Sequence, residues 1–132
     1  VPMYRRAIEL GPHIVRAYTG LSLALYDAKD YRGAAAACDE AIRNAPPDPL
    51  PYHLKATALQ ELREYEAAEK ILLPLVDEFP KFTEAHVSLA TCYYRLRRRE
   101  DGDRHQAIVR KLRAEDQARR DAANEEKKAL QQ

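Results

Sequence analysis

The chain has 132 residues, 45% hydrophobic and 33% charged, with 22 basic against 21 acidic side chains for a net charge of +1. That length suits one domain able to bury about two thirds of its unfolded surface without help from metals or disulfides. The charge balance excludes a generally basic nucleic-acid binder or membrane-surface protein, and no apolar run approaches the ~20 residues that span a bilayer.

Abundant Ala, Leu and long charged residues with only 4 Gly predict an all-α chain. Residues 1–12, VPMYRRAIELGP, carry a helical pattern from the start and no leading Met, and read as the second helix of a truncated unit in a fragment of a longer protein. Residues 15–28 and 31–44 predict two antiparallel helices joined at an AKDY turn, and 49–62 and 65–78 a second pair joined at LREY. EAHVSLATCYYRL then supplies another first helix, and 103–130 predicts one long helix. Its start would dock through Ile108, Val109 and Leu112. Its remainder, supported by Glu115–Arg119 and Asp116–Arg120 pairs four apart, would be a solvated cap. The expected organisation is a single domain over 1–132: a truncated unit (1–12), repeats at 15–48 and 49–82, and a degenerate repeat with its capping helix at 83–132.

Pro12, Pro46 and Pro80 recur every 34 residues, and other columns come into register with them: Tyr18, Tyr52 and His86; Leu25, Leu59 and Tyr93; Tyr31 and Tyr65; Ala34 and Ala68. A fixed period of this length marks a stacked helical array. The prolines end second helices, because proline lacks an amide donor and disfavours helix in the residue before it. Small Ala beside Tyr lets two helices cross closely while a ring fills the adjoining volume. Lys55 in an apolar column and Pro74 inside a helix depart from the pattern. Pro74 costs on the order of 3 kcal/mol unless a bend accommodates it, either following the superhelix or widening a binding surface.

AYTGLSLALYDAKDYRGAAAACDEAIRNAP and PYHLKATALQELREYEAAEKILLPLVDEFP resemble tetratricopeptide repeats, with a resemblance running roughly from residue 4 to 96 and lapsing at RRREDGD. It implies a right-handed α-solenoid of antiparallel helix pairs with a long C-terminal capping helix, acting as a protein–protein interaction scaffold. The groove that would hold a peptide or partner helix would be lined by Arg16, Thr19, Leu23, Tyr26 and Asp27, then His53, Thr57, Gln60 and Glu61, then Glu84, Val87, Thr91, Tyr94 and Arg95. Relatives that clamp a chaperone carboxylate use Lys, Asn and Arg where this chain has Thr19, Leu23, Leu54, Glu84 and Ser88, which argues against that clamp.

Two alternatives stand beside groove binding. Residues 95–113 hold eight basic against three acidic side chains, a local balance of +5 that could contact nucleic-acid phosphates, although the acidic neighbours favour a solvated turn. Self-association into a homodimer could use Tyr4 and Ile8 of the first helix. Catalysis is not expected: His13, His53, His86 and His105 lack metal-ligand spacing, Ser22 and Ser88 lack a nearby base, and there is no Gly-rich phosphate loop. No cofactor or metal is implied. Cys38 and Cys92 lie 54 residues apart without a CxxC motif and read as small buried residues suited to a reducing, cytoplasmic setting. Arg in excess of Lys, with the Ala content, points to a bacterial source.

Overall fold

A computed structural model describes residues 15–44 and 48–132. The predicted helix at 1–12, with Tyr4 and Ile8, lies outside them. Within them six helices follow one another: α1 (Val15–Asp27), α2 (Tyr31–Asn44), α3 (Pro49–Glu61), α4 (Tyr65–Glu78), α5 (Thr83–Arg95) and α6 (Arg99–Leu130). The described residues contain no strand.

Each helix packs on its chain neighbour, and the first helices also touch one another, α1 on α3 and α3 on α5. This is a stack of antiparallel pairs whose first helices stand side by side along one wall. Among the described residues two buried clusters form. Leu21, Leu25, Ala34, Ala35 and Ala37 of the first pair close around Ala58. Ala56 and Leu59 instead join Leu72, Leu75, Val76, Leu89 and Cys92. Helix α3 is therefore a wall shared by both.

The turns are built alike. Lys29, Arg63 and Arg97, spaced 34 apart, all adopt left-handed backbone at φ 65°, 62° and 62°. At each, the next amide reaches five residues back: Asp30 to Leu25 (2.8 Å), Glu64 to Leu59 (2.9 Å) and Arg98 to Tyr93 (2.7 Å). That bond satisfies a carbonyl the helix end would leave bare, and the left-handed residue reverses the chain for the next helix. Helix α3 begins with Asp48, whose Oδ1 accepts from the Leu50 amide at 3.0 Å, followed by Pro49 in the first turn, where its missing donor is harmless.

The third pair carries the pattern further than its sequence suggests. Helix α6 starts at Arg99, four residues ahead of the predicted start, and Gly102 stands in the column of Ala34 and Ala68. A Cβ there would sit 2.7 Å from the Tyr94 ring, so Gly102 is the small residue that lets α5 and α6 approach. Arg99 replaces the column's Tyr. Val109 is buried against α5, with Ile108 and Leu112 half-buried.

Three departures have simple physical outcomes. Lys55 keeps its apolar column by half-burying its stem and pairing with Asp39 at 2.6 Å. Pro74 is exposed within a helix that continues on both sides, beside a 320 Å³ hollow lined by Tyr52, Ile71 and Phe79. Arg119 turns to Asp116 (3.3 Å), which also holds Arg120 (3.0 Å), so the expected Glu115–Arg119 pair gives way to a shared carboxylate. Cys38 and Cys92 are buried free thiols, and burial raises the pKa of both.

Candidate functional site

The wall formed by α1, α3 and α5 carries all the predicted groove residues, but the structure gives them different tasks. Arg16, Leu23 and Asp27 on α1 are exposed, with Thr19 half-buried beside them. Tyr26 packs edge-on against Tyr31 at 5.2 Å and donates its hydroxyl to Glu61 at 3.1 Å, tying α1 to α3. Burial, then the hydrogen bond to Glu61, raises the Tyr26 pKa.

Between α3 and α5 the polar residues act as struts. Gln60 donates to the Ser88 carbonyl (2.7 Å) and to Cys92 Sγ (3.1 Å). His53 Nε2 meets Ser88 Oγ at 3.3 Å, with its ring 5.3 Å from Phe82. Burial pushes the His53 pKa down, against the opposing pull of Glu84. Thr57 and Thr91 bond back to the carbonyls of His53 and Val87 in their own helices. Tyr94 turns away from α3: its hydroxyl reaches Asp103 at 2.6 Å and Gln106 at 2.8 Å on α6.

One opening on this wall is a 580 Å³ cleft lined by Gln60, Glu61, Arg63, Tyr65, Thr91 and Arg95. Gln60, Glu61, Thr91 and Arg95 were expected there. Arg63 and Tyr65 were not, because they belong to the turn and to the start of α4; the repeated left-handed turn is what swings them beside the first helices. Among the described residues neither Arg63 nor Arg95 has an ion-pair partner, whereas Glu61 accepts from Tyr26. The cleft therefore offers two guanidinium groups against the single carboxylate of Glu61, with a phenol and the oxygens of Gln60 and Thr91, a cationic balance suited to an extended chain bearing a carboxylate.

The Arg-rich segment is partly consumed internally. Arg98 bridges Glu69 (2.7 Å) and Asp101 (2.9 Å) while covering the Tyr93 ring at 4.7 Å, and Arg104 shares Asp101 at 3.2 Å. Burial, then hydrogen bonding to Glu69, pushes the Tyr93 phenol up to about 12.

A histidine pair joins α5 to α6 nearby. His86 Nε2 lies 2.8 Å from the Pro80 carbonyl and must donate to it, so His86 Nδ1 accepts from His105 Nδ1 at 3.0 Å. His105 also stacks on Tyr93, with centroids 5.6 Å apart. Sequence spacing hid this pair, since the two residues are 19 apart on different helices. Among the described residues no group of three or more His, Cys, Asp or Glu could hold a metal ion, and no helix is long and apolar enough to cross a membrane.

The tetratricopeptide repeat family profile matches residues 1–49 and 53–108, which includes the stretch where the sequence pattern lapses. Several solved structures share the fold. A MamA double mutant is 20% identical with a TM-score of 0.78, over 86% of this chain and 64% of that one. YrrB, described as a TPR protein with an unusual peptide-binding site, is 21% identical with a TM-score of 0.71, over 83% and 56%. The TPR2B domain of yeast Sti1 in its pHsp70 complex is 22% identical with a TM-score of 0.73, over 76% and 81%. The chain spans less than two thirds of the MamA chain. No curated protein sequence matches it.

Proposed function

Because this chain belongs to the tetratricopeptide repeat family, we propose that it is a protein-binding module whose ligand is an extended peptide or partner helix held against α1, α3 and α5. The observation that carries this reading is the cleft in which Arg63 and Arg95 face open space without carboxylate partners. Binding there would join a ligand carboxylate to both guanidinium groups while the oxygens of Thr91 and Gln60, whose protons are already used within the fold, accept from its backbone amides. The peptide-binding site named for YrrB and the pHsp70 complex of the Sti1 domain agree with such a use of the fold.

A phage-displayed random peptide library panned on the chain tests it. Enriched peptides should carry an acidic residue and lose at least about tenfold in affinity when Arg63 and Arg95 are both changed to Glu. The double variant should keep its circular dichroism, since both side chains are exposed. Peptides that bind the double variant as well as the parent would refute the cleft as the site.

A further inference from the structure

The open edge beyond α5 and α6 shares only Thr91 with the cleft and has a counterpart inside the molecule. Val87, Ala90, Thr91 and Tyr94 of α5, with Gln106, Val109, Arg110 and Arg113 of α6, line a 330 Å³ hollow. Moving back 34 residues turns the first four into His53, Ala56, Thr57 and Gln60, and the second four into Leu72, Leu75, Val76 and Phe79. His53 and Gln60 bond to α5, and Ala56 with Leu72, Leu75 and Val76 of α4 forms the core that covers it, with Phe79 just past the end of α4 packed against that core. The edge is thus the third pair's copy of the surface on which α5 rests, and its natural occupant is a helix.

The copy has been rewritten in chemistry. Val76 and Phe79 become Arg110 and Arg113, exposed and without an ion-pair partner among the described residues. His53 and Gln60 become Val87 and Tyr94, which are 38% and 36% exposed. Apolar contact is retained on the α5 side, with Val109 as floor, while the α6 side is cationic. In the first junction the same column holds Tyr26, which donates to Glu61 on α3, whereas Tyr94, two units on, spends its hydroxyl proton on α6 and so offers an incoming helix its ring.

This chain does not turn back to fill the place at that point. The residue 34 beyond Pro80 is Ala114, so the separator is missing and α6 runs through it to Leu130. We propose that the edge is a docking site for an acidic amphipathic helix of another protein, about as long as the 13-residue first helices, its apolar stripe on Val87 and Tyr94 and its carboxylates on Arg110 and Arg113. Apolar anchoring supplies affinity, and charge complementarity selects the partner.

The probe is a labelled synthetic helical peptide with Leu and Ala on one face and Glu on its flanks, beside a twin carrying Lys for Glu. The acidic peptide should bind the chain at least about tenfold more tightly than the Lys twin at low salt, and R110E/R113E should reverse that preference. R63E/R95E should leave it intact, which separates this edge from the cleft. Equal binding of the twins, or unchanged preference in R110E/R113E, would overturn the proposal. So would retention of an RNA oligonucleotide through Arg110 and Arg113 without peptide binding, or a dimer in sedimentation that R110E/R113E dissociates; the former would make phosphate, and the latter a second copy, the occupant.

Discussion

Lys29, Arg63 and Arg97 hold a conformation that L-residues adopt at a cost of roughly 1–2 kcal/mol. Glycine occupies it freely, so Lys29→Gly, at an exposed position outside any ion pair, should raise stability by about 0.5–1 kcal/mol after the greater freedom of glycine in the unfolded chain is discounted. Lys29→Val should lower it, because a β-branched side chain crowds the left-handed backbone. Urea melts of the two variants against the parent check both signs. The same residue type explains why these turns read only as AKDY and LREY: without glycine, nothing in the string announces a left-handed position, and RLRRR conceals a third copy in register with them.

Histidine burial sets the pH response. The His53 and His105 pKa values lie below the ordinary range, chiefly from burial, with His86 and Arg104 lowering His105 further while Glu84 and Asp101 oppose the two shifts. A histidine with a depressed folded-state value takes up a proton more readily when unfolded, so neutral solution favours the fold. Stability should be level above the unfolded value of about 6.5 and fall as pH drops through it toward the folded values. His53→Gln, which can still bond Ser88, should shallow that fall. Chemical denaturation from pH 7.5 to 5 reads the effect, and identical slopes in variant and parent would remove His53 as a source.

At the scale of the helix, Ala114 is decisive. Restoring the separator as Ala114→Pro removes an amide donor within α6 and places a ring against the preceding turn, at about 3 kcal/mol or more. The segment beyond it is exposed along almost its whole length, so that penalty should melt residues after 114 rather than the repeats. The expected result is lower ellipticity at 222 nm with an unchanged melting midpoint for the core.

Helix positions were largely legible from proline spacing and apolar period, because those features record where helices stop and which side they bury. The faces were less legible. Positions such as His53, Gln60 and Tyr94 border both the open wall and a neighbouring helix, and a sequence does not say which neighbour a polar side chain will bond. Gly102 could have been found by extending the Ala34–Ala68 column one unit, since glycine is also small. The His86–His105 contact left no signal, being made by two residues in different columns.

Over the whole molecule, α3 couples two cores through side chains on two of its faces. Ala58 is fully buried among Leu21, Leu25 and the alanines of α2, whereas Ala56 and Leu59 belong to the second cluster. Ala58→Leu adds volume where helices are closest and should cost about 1–3 kcal/mol by overpacking. In a stacked array that loss falls on one interface, so α1 and α2 should open before the rest. Native-state hydrogen exchange should show protection falling in residues 15–44 while α5 and the docked part of α6 keep theirs. A uniform loss across all six helices would mean that the two cores unfold as one unit, and that the shared wall transmits strain rather than confining it.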